Sequence, residues 1–120
     1  MNILFADDNP DVRELVTMGL VGRGHDVTVV QNGTELLKIL KHGPGKFDAI
    51  VTDNSMPGGP SGIEVLRRLR SDERFKKIPI IVHSGDRAAA FQIEIAALDA
   101  VFASKGQSNS LFGALDDVHK

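Results

Sequence analysis

The chain has 120 residues, a net charge of −2 at pH 7, and no cysteine, tryptophan or tyrosine. That length suits one domain that buries a core without covalent staples. The missing cysteines exclude disulfides and thiolate-bound metal, and the charge excludes the broad basic footprint of a dedicated nucleic-acid binder. No apolar run approaches membrane-spanning length, and Met1-Asn2-Ile3-Leu4 lacks a basic signal-peptide head. A soluble cytoplasmic domain with no membrane insertion is expected.

Asn2-Ile3-Leu4-Phe5-Ala6 is apolar on both faces, as a central strand of a parallel sheet must be. Asp7-Asp8 follow, and Asn9 then Pro10 predict a helix start, with Asn as N-cap and Pro in the first turn. Val12, Leu15, Val16, Gly19 and Leu20 share one face of that helix, which Gly22 and Gly24 stop. Asp26–Val30 reads as a second strand. Asn32-Gly33 opens a helix with Leu36, Leu37 and Leu40 inward, ended by Gly43-Pro44-Gly45.

Asp48-Ala49-Ile50-Val51-Thr52 is short, β-branched and bounded by polar residues, so it predicts a buried strand. Asp53 ends it, and Pro57 forbids its continuation. The loop Met56 to Gly62 leads into a helix through Ile63, Leu66 and Leu69, with Arg67, Arg68 and Arg70 expected on its solvated face. Ile78–Val82 is a fourth strand ending in His83-Ser84-Gly85, and Asp86 is the expected cap of an alanine-rich helix through Phe91 and Ile95. Ala100–Ala103 is a fifth strand ending in Ser104-Lys105-Gly106. Ser108 or Ser110 then caps a last helix with Leu111, Leu115 and Val118 on one face.

Five strands alternating with five helices predict an α/β fold, a parallel sheet of right-handed βαβ units. Asp7-Asp8, Asp53, Ser84 and Lys105 each follow a strand at its C-terminal end, the rim where open α/β sheets bind ligands. Three carboxylates meeting there repel one another unless a cation intervenes. Oxygen ligands of this kind suit Mg²⁺, and with Lys105 and the Ser84 hydroxyl nearby the set makes chemical sense as a phosphoryl-accepting site with an aspartate nucleophile. Taken singly, the acids read as helix N-terminal charges, Ser84 as a cap and Lys105 as a loop lysine. Their shared placement favours the functional reading.

The chain resembles the receiver domain of two-component response regulators, similar to the single-domain chemotaxis regulator. Four motifs carry this from about Asn2 to Val118: Phe5-Ala6-Asp7-Asp8-Asn9, Ile50-Val51-Thr52-Asp53-Asn54-Ser55-Met56-Pro57, Ile80-Ile81-Val82-His83-Ser84-Gly85 and Phe102-Ala103-Ser104-Lys105. The resemblance implies a flavodoxin-like (βα)5 doubly wound sheet of order 2-1-3-4-5. It implies that Asp53 is the phosphoacceptor for a histidine kinase or phosphotransfer protein. Asp8, Asp53 and the Ser55 backbone carbonyl would bind Mg²⁺, with Asp7 acting through a water. Lys105 and Ser84 would contact the phosphoryl group, and Phe102 would be the aromatic switch. The responding surface would be the last strand with its two flanking helices, acting on an unidentified downstream protein.

Three departures from the family pattern stand out. The loop Met56-Pro57-Gly58-Gly59-Pro60-Ser61-Gly62 is one residue longer than usual, Gly106 replaces a usual proline after Lys105, and Phe102 lacks a tyrosine hydroxyl. The rival readings are an Asp-nucleophile phosphatase of the haloacid-dehalogenase type and a pseudo-receiver that binds without phosphorylation. The first needs a second Asp where Ser55 stands; the second sits poorly with an intact acidic set. A nucleotide-binding module lacks its third glycine and a Walker lysine. The expectation is therefore a switch, not an enzyme, whose own chemistry stops at phosphoryl acceptance and slow autodephosphorylation. It would span residues 1–120 without an output domain, either standing alone or cut from a larger regulator. No direct nucleic-acid contact is expected, and the state is a monomer or a weak phosphorylation-dependent dimer.

Overall fold

The computed structural model describes residues 1–43, 45–86, 88–105 and 110–119. Five strands and five helices alternate: β1 Asn2–Ala6, α1 Pro10–Gly22, β2 Asp26–Val30, α2 Gly33–His42, β3 Ala49–Thr52, α3 Gly62–Arg70, β4 Ile80–Ser84, α4 Ala89–Ala97, β5 Val101–Ser104 and α5 Ser110–His119. The strands form one parallel sheet in the order β2-β1-β3-β4-β5. This is the flavodoxin-like arrangement that the alternating pattern and the resemblance predict.

Strand alternation divides the core in two. Ile3, Phe5, Ala49, Val51 and Ile81 pack with Val16 and Leu20 of α1 and Leu111 and Leu115 of α5. Leu4, Ala6, Ile50, Ile80 and Val82 pack with Leu36 and Leu40 of α2, Leu66 and Leu69 of α3 and Ile95 of α4. Consecutive strand residues face opposite ways. Near-continuous apolar runs are therefore what a sheet covered on both sides requires.

The caps follow the sequence where side chains can reach. Asn9 Oδ1 accepts from the Asp11 and Val12 amides, and Asn32 Oδ1 from the Glu35 amide. Ser61 Oγ accepts from the Glu64 amide, starting α3. Asp86 departs from expectation. Its carboxylate accepts from the Ala88 amide, but the N-cap of α4 is Ala88, which makes no side-chain cap bond. Ser110 Oγ accepts from the Ser104 amide, tying α5 to β5. Ser108 and the Gly106 departure lie outside the described residues, as does Pro44; Val118 lies in α5 with its side chain outside them.

Three further expectations are corrected. Leu15 is 73 % exposed, because α1 turns Val16 and Leu20 inward and leaves Leu15 at the groove edge. Arg70 is not on a solvated face. Its guanidinium donates to the carbonyls of Leu98, Phe75, Ile78 and Asp99, fastening α3 to the end of α4. β4 begins at Ile80; the Pro79 carbonyl only accepts from the Ile50 amide before pairing starts.

Candidate functional site at the strand ends

β1, β3, β4 and β5 end together, so the chain's acidic and basic strand-end residues share one rim. The Asp53 amide donates to the Ala6 carbonyl and the Lys105 amide to the Ser84 carbonyl, which extends the ladder one step past the strands. Asp7, Asp8 and Asp53 converge so that one carboxylate oxygen from each lies within 4.8 Å of the others. A cavity of about 810 Å³ opens above them, lined among others by Asp8, Asp53, Ser55, Ser84, Asp86 and Lys105.

The three acids differ in setting. Asp7 is fully buried, with Oδ1 accepting from the Asn9 amide and its backbone carbonyl from the Arg13 guanidinium. Asp8 is exposed at the cavity mouth. Asp53 is 5 % exposed, with Oδ1 accepting from the Asn54 amide. Lys105 bridges two of them: its Nζ lies 2.9 Å from Asp7 Oδ2 and 3.2 Å from Asp53 Oδ2.

Burial pushes the Asp53 carboxyl above its usual value; the Lys105 charge opposes this and the Asp7 charge adds to it. For Lys105, burial works against the ammonium, and hydrogen bonding and charge from Asp7 and Asp53 outweigh it, so its pKa is raised. Two acids thus share one cation at this rim. A hard divalent ion supplied to this rim would find oxygen donors alone, the set Mg²⁺ prefers.

Ser84 is buried, and its Oγ accepts from the Asp86 amide at the cavity wall. Phe102 is half-buried, and its ring meets Phe91 of α4 edge-on at 6.3 Å between centroids. The loop after Asp53 packs against the start of α2. A Cβ at Gly33 would lie 2.7 Å from the Pro60 carbonyl, and one at Gly59 would lie 2.6 Å from Thr34 Oγ1. Gly62 passes close beneath Asp53, where a Cβ would stand 2.4 Å from the Asp53 carbonyl oxygen.

Two residues take part without a signal in the sequence. Arg13 holds the Asp7 carbonyl from one turn into α1, and it reads there as an ordinary helix arginine. Asn54 fixes Asp53 through its amide and accepts from the Ile63 amide, knitting the phosphoacceptor candidate to the start of α3.

Residues 3–106 match the response regulator receiver domain family. The chain belongs to that family. It is 39 % identical over 83 residues to the chemotaxis protein CheY of Pseudomonas aeruginosa, covering 68 % of this chain and 64 % of that one. The alignment thus spans less than two thirds of the Pseudomonas protein's length. The fold superposes on chemotaxis response regulator CheY4 of Vibrio cholerae with a TM-score of 0.86, 25 % identity, and 98 % and 97 % of the two chains covered. TrrA of Thermotoga maritima, solved in complex with Mg²⁺-BeF, gives a TM-score of 0.83 at 28 % identity over 98 % of this chain and 97 % of that one. The protein is a receiver domain of two-component signalling, a class of signalling switches.

Proposed function

We propose that this receiver is a phosphorylation-controlled switch in which Asp53 takes a phosphoryl group from the phosphohistidine of a histidine kinase or phosphotransfer protein. One observation carries the reading: Asp7, Asp8, Asp53 and Lys105 meet at a single rim under an open cavity. An Asp53 carboxylate oxygen attacks phosphorus, the P–N bond breaks, and its electron pair returns to the imidazole. Lys105, already 3.2 Å from Asp53, is placed to turn toward the new phosphoryl oxygens, and Ser84 Oγ to exchange the Asp86 amide for one of them.

Asp8, Asp53 and the Ser55 carbonyl would hold Mg²⁺, with Asp7 behind a water. The ion would supply charge neutralisation at the transferring group. Inward movement of Ser84 would draw Phe102 with it, and Phe102 already leans on Phe91 of α4. The responding surface is then α4-β5-α5, presented to a downstream protein partner. The reading keeps residues 1–120 as one receiver unit in the cytoplasm, a monomer when unphosphorylated or a weak dimer when phosphorylated. Its own chemistry is limited to phosphoryl acceptance and slow autodephosphorylation.

Incubation with acetyl phosphate and Mg²⁺, followed by intact-mass spectrometry, tests the assignment. Wild type should gain one phosphoryl mass and Asp53→Asn none. No gain in wild type, or an unchanged gain in the variant, would reject the site.

A further inference from the structure

β2 is one edge of the sheet, at the far side from β5, and it pairs only with β1. The Asp26 amide donates to the Met1 carbonyl, and the Val30 carbonyl accepts from the Asp7 amide. In a parallel ladder alternate residues bond to the same neighbour, so Asp26, Thr28 and Val30 turn their amides and carbonyls toward β1. Val27 and Val29 therefore turn theirs outward, as an unpaired template for another strand. The usual guards of such an edge are missing. The five residues include no lysine and no proline, and their register with β1 runs without a bulge.

One side of this edge is a cationic cleft. A cavity of about 330 Å³ opens between Thr28 of β2 and the second half of α2, lined by Lys38, Ile39 and His42, with Lys46 from the loop that follows. Thr28 pairs with Leu4, which belongs to the α2 side of the core, so the cleft flanks the strand on that side. Lys38, His42 and Lys46 are exposed, and none has an ion-pair partner among the described residues. No acidic residue lines the cleft. The α2 dipole accounts for His42 in the last turn, but Lys38 lies before that turn and Lys46 beyond the helix. On the other side of the strand Val29 is 38 % exposed and offers an apolar surface.

We propose that the β2 edge binds an extended peptide of alternating acidic and apolar residues, added as a further strand beside Val27 and Val29. The peptide backbone completes the outward amides and carbonyls of those two valines. Side chains two apart share a face, so its carboxylates lie over Lys38 and Lys46 while its apolar residues lie beside Val29. A second copy of this chain is the poorer occupant. Antiparallel pairing of two β2 edges would bring the α2 lysines of both copies to one side of the seam, where like charges repel.

The test titrates the ¹⁵N-labelled full chain with a blocked peptide of alternating glutamate and valine. Its controls are the lysine–valine counterpart and the glutamate–valine peptide N-methylated along its backbone. The glutamate–valine peptide should shift the amides of Val27, Val29 and residues 38–43, and added salt should weaken it. Methylation keeps the carboxylates but removes the donors, so it should weaken binding by at least about 5-fold, the effect of one net hydrogen bond. The lysine–valine peptide should not bind. Lys38→Glu combined with Lys46→Glu, both at exposed positions, should weaken binding about 10-fold. Val29→Pro removes an outward amide without touching the ladder to β1, and should weaken binding as well. Equal binding of the methylated peptide would reduce the effect to charge attraction at surface lysines and overturn the proposal. Binding of the lysine–valine peptide, shifts that map elsewhere, or no binding would do the same. Self-association of the free chain through Val27 and Val29 would overturn it in favour of a second copy. If Val29→Pro does not fold, the methylated peptide and the lysine pair still decide it.

Discussion

The Lys105 ammonium lies closer to Asp7, at 2.9 Å, than to the proposed phosphoacceptor Asp53, at 3.2 Å. Asp7 is fully buried, and Lys105 sets its positive charge against both acids. Removing it leaves a buried carboxylate without its cation, a change worth about 3 kcal/mol where a buried pair is broken. Lys105→Met should therefore unfold more readily in metal-free buffer, and Mg²⁺ should raise its Tm by more than it raises that of wild type. Thermal denaturation with and without Mg²⁺ measures both. An equal Mg²⁺ response in the two proteins would show that Lys105 and the ion do not compete.

His83 makes stability depend on acidity. Its folded pKa of about 4 lies below its ordinary 6.5, so the unfolded chain binds the extra proton. That stability is complete above pH 6.5 and is lost as pH falls from 6.5 toward 4. The charged groups that bear on the ring are Lys105 and Asp7. Asp53 acts in the opposite sense, because its raised pKa favours the folded chain as pH falls toward the carboxylate range. Comparing wild type with His83→Val isolates the imidazole. Urea denaturation at pH 7 and pH 4 should show wild type losing on the order of 3 kcal/mol more than the variant. Parallel losses would place the ring in a solvated setting.

Arg70 offers its planar fork to four backbone carbonyls, the shortest bond being 2.7 Å from Nε to Leu98. Arg70→Met keeps the stem and strands those carbonyls, which should lower stability by about 3 kcal/mol. Arg70→Lys should recover little, since an ammonium cannot reach around the same arc. Arg68→Met, on the exposed face, should change stability by less than about 0.5 kcal/mol. Chemical denaturation midpoints decide; equal effects at positions 68 and 70 would remove Arg70 from its proposed role.

Gly62 and Gly113 should respond in opposite directions to alanine. At Gly62 a methyl group would stand 2.4 Å from the Asp53 carbonyl oxygen and 2.9 Å from the Asn54 Cα, so backbone must move. Gly62→Ala should destabilise by about 1–3 kcal/mol and slow acetyl phosphate labelling, because Asp53 itself is displaced. At Gly113, exposed in α5, a methyl group meets nothing within 4 Å. Gly113→Ala should stabilise by about 0.5–1 kcal/mol through helix propensity, with labelling unchanged. Calorimetry and labelling rates on both variants check this.

The sheet was readable because strand runs such as Ile50-Val51-Thr52 are apolar on consecutive residues, and a doubly covered strand leaves no other option. The rim was readable for the same reason, since each polar site residue marks the place where such a run stops. What stayed hidden depends on contacts far along the chain. Arg67, Arg68 and Arg70 look alike in sequence. Only the return of α4 brings the Leu98 and Asp99 carbonyls to Arg70, and Glu94 to an ion pair with Arg67. Leu15 fits the helical period as well as Val16 does, yet it stays exposed at the edge of α1. His83 reads as one more strand residue until the helix packing leaves an open space beside it.

The close fit of the loop after Asp53 to the start of α2 links four positions that are far apart in the chain. Gly33 stands against Pro60, and Gly59 against Thr34, with no room for a Cβ on either glycine. Gly58, in the left-handed region at φ +87°, turns the chain so that both contacts close. The loop thus meets α2 through its far end, at Gly59 and Pro60. Positions 33, 34, 59 and 60 should then vary as a set. A side chain introduced at position 33 or 59 would force this contact apart.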